Sequence, residues 1–271
     1  MIGFALLGLL GVALIVNLVD DDDDATASNA GDDVVTGSAD TDIIDAGAGD
    51  DTVFAEGGDD LVLAGDGDDD VFGNAGDDLI VGGAGDDLLR GGSEDDLLTA
   101  DAGNDTLFGD SGDDVLDGTD FADNEGIVQA TIAKGAELTN AELAAFIDLT
   151  NETGEADTLQ GGSGNDDIIA GSNDVVETGV GQDDVIVGDW VIPGEPVQVT
   201  DFNPNQDAIV YNFVGATPPT VFFGEADDGT ATLEIAVSNT ENQVIAELAN
   251  VDFLDLSAAN NLVIVQATPL A

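Results

Sequence analysis

The sequence predicts an all-β fold, a parallel solenoid of short repeats, and three observations support this fold class. An aspartate returns every nine residues, ten times without a gap, from Asp33 to Asp114. An aliphatic residue stands two positions after each of these aspartates. Glycine stands two positions before eight of them, and Asp40 and Glu94 occupy this position in the other two units. A short fixed period is typical of solenoids, in which each unit stacks on its neighbours.

Each nine-residue unit is predicted to contain one strand and one turn. The three residues after the aspartate, such as Val34, Val35 and Thr36, predict a short strand whose middle side chain points inward. The other six residues predict a turn, in which glycines adopt backbone angles that other residues resist. Two units would complete one turn of a right-handed coil, so each loop would stack on the equivalent loop two units further along the chain.

The turns combine carboxylates with exposed backbone carbonyls, and this donor set predicts calcium binding. Hard cations with many oxygen ligands prefer such groups, and magnesium requires a tighter octahedron. If each ion binds oxygen atoms from the two loops that it lies between, the first block of repeats would hold about eight ions. The predicted carboxylate ligands are Asp33, Asp42, Asp51, Asp60, Asp69, Asp78, Asp87, Asp96, Asp105, Asp114, Asp157, Asp166, Asp174 and Asp183. The predicted turn glycines with accessible carbonyls are Gly31, Gly49, Gly58, Gly67, Gly76, Gly85, Gly103, Gly112 and Gly164.

These repeats resemble the repeats-in-toxin (RTX), or haemolysin-type, calcium-binding family. The unit is clearest from Gly82 to Arg90, and the resemblance runs continuously over residues 28–117. A weaker block covers about 152–187, with a one-residue slip between Asp166 and Asp174. The segment 199–209 also looks like one that often follows RTX repeats. The resemblance implies a calcium-binding parallel β-roll from a Gram-negative bacterium; the alternative is an acidic, disordered low-complexity tract.

The composition excludes several classes of function. The formal charge is −57 with only two basic residues, which excludes nucleic acid as a partner because phosphate binding needs Lys and Arg. The chain has no Cys and no His, so thiolate sites and the usual zinc ligands are absent. The zinc-protease motif of some RTX proteins is missing, and no nucleophile elbow or phosphate loop occurs. We therefore expect a protein that is not an enzyme.

An apolar, uncharged run from Ile2 to Val19 predicts an N-terminal transmembrane helix. As a helix it would span about 27 Å, close to a hydrocarbon core of roughly 30 Å. A cleaved signal peptide is the alternative, with Ala25-Thr26-Ala27 as a small-residue cleavage site. Calcium sites of extracellular modules bind at about 10⁻⁴–10⁻³ M, so the bulk of the chain is expected outside the cytoplasm, in the periplasm or at the cell surface.

The remaining chain is predicted to hold a helical insert and a terminal β cap. A capping-box pattern at Thr139–Glu142 predicts a short helix over about 140–149. After about residue 191, alternating strands predict a cap that closes the open end of the solenoid. Trp190 lies at this junction and is expected to pack. The predicted divisions are 1–24 anchor and acidic stop, 25–118 first repeat block, 119–150 insert, 151–192 second block and 193–271 cap.

Two outward-facing rows of side chains are predicted contact surfaces. The apolar ladder comprises Ile43, Leu61, Leu79, Leu97 and Val115, with Leu63 and Val81 beside it. The aromatic row on the opposite sheet comprises Phe54, Phe72, Arg90 and Phe108. We expect another protein or the chain's own insert to bury at least one row. The favoured function is a calcium-stiffened structural or accessory subunit docked on a membrane protein complex. A surface adhesion or matrix protein and a type I secreted protein are the alternatives.

Overall fold

The structure, a computed structural model, consists of strands stacked in two sheets whose neighbouring strands are mostly parallel. It describes residues 24–27, 30–119, 154–214, 219–226, 230–236, 242–249, 251, 256 and 261–267. The strands are β1 Asp24–Ala27, β2 Val34–Thr36, β3 Asp42–Ala48, β4 Thr52–Gly57, β5 Leu61–Asp66, β6 Asp70–Ala75, β7 Leu79–Ala84, β8 Leu88–Ser93, β9 Leu97–Ala102, β10 Thr106–Ser111, β11 Val115–Asp117, β12 Thr158–Ser163, β13 Asp167–Ile169, β14 Val175–Val180, β15 Asp184–Gly188, β16 Val197–Val199, β17 Ala208–Val214, β18 Val221–Glu225, β19 Ala231–Ala236, β20 Asn242–Leu248 and β21 Leu262–Ala267.

From β1 to β18, successive strands alternate between the two sheets, as a two-sided roll requires. Sheet A has the order β1-β3-β5-β7-β9-β11-β13-β15-β17-β21, and sheet B has the order β18-β19-β20-β16-β14-β12-β10-β8-β6-β4-β2. In the first block each strand pairs in parallel with the strand two repeat units away, as in Leu61 with Leu79 and Val62 with Ile80. The predicted all-β parallel roll is therefore confirmed.

The core is the thin layer between the sheets, and the aliphatic position of each repeat fills it. Ile44, Val53, Val62, Val71 and Ile80 are all fully buried in one cluster that continues to the cap. Because the side chain two positions after each aspartate always points inward, one aliphatic residue per unit suffices to form a continuous core.

The strands are longer than the sequence predicts, and the prediction of a six-residue turn is wrong. A typical strand such as β7 continues from Leu79 through Gly82, Gly83 and Ala84, so only three residues remain for the turn. Gly83 has φ of 109°, which lets the chain bend while its backbone still pairs with Gly65 on the preceding turn. The ladder of hydrogen bonds therefore runs around the corner instead of ending at the third residue.

The two repeat blocks form one uninterrupted stack. Strand β10 pairs with β12 and β11 pairs with β13, although a long segment lies between these partners in sequence. In the second block the stacked partners are one residue closer in sequence than in the first, as in Thr158 with Val175. The predicted slip between Asp166 and Asp174 thus shortens one loop without breaking the sheets.

The cap continues both sheets, with a change of direction in sheet B. Strand β17 pairs with β15 and β21 in parallel, whereas β18, β19 and β20 form an antiparallel meander. Trp190 is 7% exposed and its indole N–H donates to the carbonyl of Ala170 at 2.9 Å, so it packs at the junction as expected.

Two predicted helices fall on parts of the chain that the structure does not describe. The predicted anchor Ile2–Val19 and the predicted helix at 140–149 both lie outside the described residues. All elements within the described ranges are strands, and no helix there is long and apolar enough to cross a bilayer.

The two outer faces differ sharply in exposure. In the apolar ladder, Leu61, Leu79 and Leu97 are 0%, 2% and 6% exposed, and Ile43 and Val115 at its ends are half-buried. The aromatic row on sheet B is only partly covered. There the rings of Phe54 and Phe72 stack with centroids 5.2 Å apart, and the Arg90 guanidinium carbon lies 4.7 Å from the centroid of the ring of Phe108. One of the two predicted contact rows is therefore buried within the chain.

Candidate calcium-binding loops

The aspartates at the repeat period form two columns, one along each edge of the roll. In each column the backbone N–H of one aspartate donates to Oδ1 of the aspartate on the next turn, at 2.7–2.9 Å throughout the first block. The first Asp column comprises Asp33, Asp51, Asp69, Asp87, Asp105, Asp157 and Asp174. The second Asp column comprises Asp42, Asp60, Asp78, Asp96, Asp114, Asp166 and Asp183. All the predicted carboxylate ligands therefore lie in these columns.

The columns cross the insertion between the blocks without distortion. Asp105 N–H donates to Asp157 Oδ1 at 2.7 Å and Asp114 N–H donates to Asp166 Oδ1 at 3.0 Å. Both pairs are 52 residues apart in sequence, whereas the pairs within the first block are 18 residues apart. All of the additional chain therefore belongs to a single turn, and the second block continues the same two rows of carboxylates.

The second carboxylate oxygen of most column members is buried and has no hydrogen-bond donor. These oxygens are Oδ2 of Asp51, Asp60, Asp69, Asp78, Asp87, Asp96, Asp114, Asp166 and Asp183. Their side chains are at most 3% exposed. A buried carboxylate oxygen without a partner costs free energy unless a proton or a cation satisfies it.

Burial accordingly raises the pKa of these carboxyl groups, and neighbouring carboxylates raise the pKa further. The pKa of Asp96 reaches about 8, mainly through burial, and the negative charges of Asp78 and Asp114 raise it further. The pKa is about 7 for Asp60, Asp78, Asp87 and Asp166, and about 6 for Asp69, Asp114 and Asp183. The backbone N–H bond to each group lowers the pKa but does not offset burial. The pKa values of these carboxyl groups therefore lie close to neutral pH, where either a proton or a cation can neutralise them.

Glycines beside the columns leave no room for a side chain. At Gly82 the point where a Cβ would lie is 2.6 Å from Asp87 Oδ2 and 2.7 Å from the carbonyl oxygen of Ala100 on the next turn. The same pairing of an aspartate Oδ2 with a next-turn carbonyl recurs at Gly73, Gly109 and Gly161. Carboxylate and carbonyl oxygens therefore converge on the same small space, which only glycine leaves open.

The donor set fits calcium. In the part of the chain that the structure describes, no three carboxylates come close enough to hold one metal ion. A cation at a column would therefore be held by carboxylates and by backbone carbonyls, all of them hard oxygen donors. The residues that would hold it are the column aspartates and the glycine-rich corners; the number of ions remains the sequence-based expectation of about eight in the first block.

The predicted turn glycines share one backbone conformation. Gly31, Gly49, Gly58, Gly67, Gly76, Gly85, Gly103, Gly112 and Gly164 all have positive φ, between 112° and 155°. Glu94 occupies the same repeat position with φ of 83°, which a side chain adopts only with strain. This position stacks directly on its counterpart one turn earlier, so a Cβ at Gly85 would collide with the carbonyl oxygen of Gly67.

This geometry predicts opposite effects for two substitutions at equivalent positions. Gly85→Ala should lower the free energy of unfolding by about 1–3 kcal/mol, because it adds strain at positive φ and the collision with Gly67. Glu94→Gly should raise it by about 1 kcal/mol, because it removes comparable strain. Denaturant unfolding at a fixed calcium concentration measures both. Equal destabilisation by the two changes would contradict a shared positive-φ requirement.

Sequence reasoning missed one member of the second Asp column. Asp207 is 3% exposed, and its Oδ1 accepts the N–H of Asp183 at 3.4 Å, as the next repeat aspartate would. Its Oδ2 accepts the N–H of Asn203 at 2.7 Å. Asp207 follows Asp183 by 24 residues, so the period could not reveal it. The resemblance of 199–209 to a post-repeat segment was the only available signal.

Together, two parallel sheets, two columns of buried aspartates and glycine-rich corners define a calcium-loop β-roll. Four copies of the RTX calcium-binding nonapeptide repeat match the chain, at residues 28–62, 63–98, 90–124 and 153–185. Over residues 28–124 and 153–185 the chain therefore consists of RTX calcium-binding nonapeptide repeats.

Two solved structures match the chain at low similarity. The AlgE6R3 subunit of the mannuronan C5-epimerase from Azotobacter vinelandii is 19% identical with a TM-score of 0.30, and the match covers 67% of this chain and 78% of that one. The extracellular lipase LipA from Serratia marcescens is 15% identical with a TM-score of 0.32, covering 91% of this chain and 40% of that one. No curated protein sequence matches the chain.

Proposed function

We propose that this chain is a membrane-anchored, extracytoplasmic structural or accessory subunit, without enzymatic activity, whose body folds and stiffens when calcium binds. The observation that carries the proposal is the set of nine buried aspartates in the two columns whose Oδ2 atoms have no hydrogen-bond donor. Bound calcium would supply the positive charge that these oxygens lack. The roll is then a rod whose rigidity depends on the calcium concentration around it.

Repulsion between the chain's own carboxylates explains why the roll would fold only after these charges are neutralised. The aspartates of each column stack so that each carboxylate faces another one turn away, as Asp60 faces Asp78 and Asp78 faces Asp96. The whole chain carries a formal charge of −57. Like charges at this density oppose compaction in low calcium. In high calcium the same carboxylates would link successive turns, and the core aliphatic residues would hold the sheets together.

The location follows from the same chemistry. Calcium sites of the extracellular class bind at about 10⁻⁴–10⁻³ M, far above the free calcium of a bacterial cytoplasm, so a functional roll belongs outside it. The apolar segment Ile2–Val19 would anchor the N-terminus in a Gram-negative membrane, with the roll in the periplasm or at the cell surface.

The aromatic row on sheet B is the surface that suits a protein partner. Its rings are partly exposed, unlike the apolar ladder of sheet A. Arg90 lies over the ring of Phe108, and its Nε is 3.4 Å from Asp110 Oδ2. Partly exposed aromatic residues beside an arginine are typical of protein interfaces.

The proposal predicts a membrane-bound, externally accessible protein with a partner. In a Gram-negative host, the full chain should stay in membranes after an alkaline carbonate wash, and protease added to spheroplasts should reach the roll. After detergent solubilisation, a partner should copurify with the unaltered chain and with Val34→Lys, but not with Phe72→Lys. Recovery of the chain in the soluble fraction would reject the anchor. Calcium-dependent attachment of whole cells without a copurifying partner would instead support an adhesion role.

A further inference from the structure

We propose that the apolar ladder on the outer face of sheet A is a docking site for the chain's own segment 120–153. The proposal is independent of the membrane anchor and of the subunit role. It rests on the burial of this face, on the strands that this burial covers and on the strand that the segment follows.

The ladder forms an apolar cluster of its own, separate from the core between the sheets. Leu61, Leu63, Leu79, Val81 and Leu97 are 0–6% exposed, and the half-buried Ile43 and Val115 pack at its ends. Strand pairing places these residues on successive turns of sheet A. Within the described residues, this cluster holds nothing outside sheet A. Outward side chains of a sheet reach such low exposure only when another segment lies over them.

The burial varies along the face and between its two rows. In the row that contains Leu63, the side chains of Val81, Thr99 and Asp117 remain 1–2% exposed toward the C-terminal turns. At the opposite end of this row Asp45 is only half-buried. In the apolar ladder the order is reversed, because burial is complete at Leu61 and decreases through Leu79 and Leu97 to the half-buried Val115. The covered area is therefore centred on β5, β7 and β9, and in the row of Leu63 it extends to β11, the last strand before segment 120–153.

The departure point is itself fixed on this face. Thr119 is 1% exposed, and both its N–H and its hydroxyl donate to Asp117 Oδ1, at 3.1 Å and 2.6 Å. Asp117 is the outward residue at the end of β11. The last described residue before segment 120–153 therefore lies beside the outward end of β11.

The segment has the length and composition that the face requires. From β11 to β5 the sheet extends over three strand spacings, about 14 Å. A ten-residue helix over 140–149, as the sequence predicts, would span about 15 Å. Leu143, Phe146 and Ile147 stand at helical spacing in this stretch and would form one apolar side. The site exists only when successive turns stack, so docking would add to the stability of the folded roll.

Cysteine accessibility in the full chain tests the proposal, because the chain has no native cysteine. In calcium and detergent, a Val81→Cys thiol should react with a maleimide at least about tenfold more slowly than a Val34→Cys thiol, equal to about 1.4 kcal/mol of docking free energy. Val34 is 75% exposed and serves as the matched control. Replacing 121–150 by a short Gly-Ser link should remove this protection while the calcium-induced strand signal persists.

A second variant keeps the test valid if the deletion fails to fold. Leu143→Asp with Phe146→Asp in the full chain should speed the labelling of Val81→Cys and leave that of Val34→Cys unchanged. Three outcomes would overturn the proposal. These are rapid labelling of Val81→Cys in the otherwise unaltered chain, protection that survives both insert variants, and protection that is lost only on removal of residues 2–19, which would make the N-terminal run the occupant.

Discussion

Asp78→Asn is expected to raise the calcium concentration needed to fold the roll by at least about tenfold, equal to about 1.4 kcal/mol, because affinity depends on ligand charge. Asp78 is 1% exposed, its Oδ2 has no donor, and its Oδ1 accepts the N–H of Asp60 at 2.8 Å. Asparagine can still accept this hydrogen bond through its side-chain oxygen. The substitution therefore removes the charge and keeps the backbone contact.

The neighbouring residue provides the control for Asp78→Asn. Asp77 is exposed, and its Oδ1 accepts the N–H of Asp95 at 3.1 Å. Asp77→Asn should shift the calcium midpoint by less than about twofold, because an exposed charge is screened by solvent. Calcium titrations followed by far-UV circular dichroism measure both midpoints. Equal shifts for the two variants would show that overall charge, and not the Asp column, governs folding.

Acid should stabilise the calcium-free roll, which is the opposite of ordinary acid denaturation. The pKa of Asp78 is about 7 and that of Asp96 about 8 in the folded roll, mainly through burial. The pKa of an aspartate in the unfolded chain is about 3.9. Between roughly pH 4 and pH 8 the folded roll therefore binds more protons, so its free energy of unfolding falls as the pH rises. Each group contributes about 1.4 kcal/mol per unit of pKa difference, reduced by coupling within the column.

The measurement is the strand signal of the calcium-free chain as a function of pH. In metal-depleted buffer, the detergent-solubilised full chain should gain strand signal as the pH falls from 8 to 5. With saturating calcium this pH dependence should disappear or reverse, because a bound cation takes the place of the proton. A calcium-free chain that loses strand signal over the same range would contradict the role of the buried Oδ2 atoms. Sedimentation at each pH distinguishes folding from aggregation.

The sequence could predict the fold and the Asp columns because each depends on a strict local period. An aspartate at every ninth residue must occupy the same place on each stacked turn, and Asp33 to Asp114 do so. The aliphatic residues follow the same phase and form the core. The family resemblance then gave the two-sheet architecture, which the pairing of β3 to β11 confirms.

Other features depend on long-range contacts that the period does not encode. Gly83 suggests a turn, yet pairing with Gly65 keeps it within a strand. Asp207 joins the second Asp column from outside the repeats, since its place is set by the loop that brings it beside Asp183. Which of the two outward rows is buried also depends on long-range contacts, and Leu79 is 2% exposed although strand alternation places it outward.

The most direct test of the account is a calcium titration of the full chain in detergent at pH 8, followed by far-UV circular dichroism, with magnesium as the control. The account predicts little strand signal from the roll in chelator and a cooperative gain of strand with calcium but not with magnesium. Strand signal already complete in chelator at this pH, or an equal response to magnesium, would contradict the claim that the Asp columns couple calcium binding to folding.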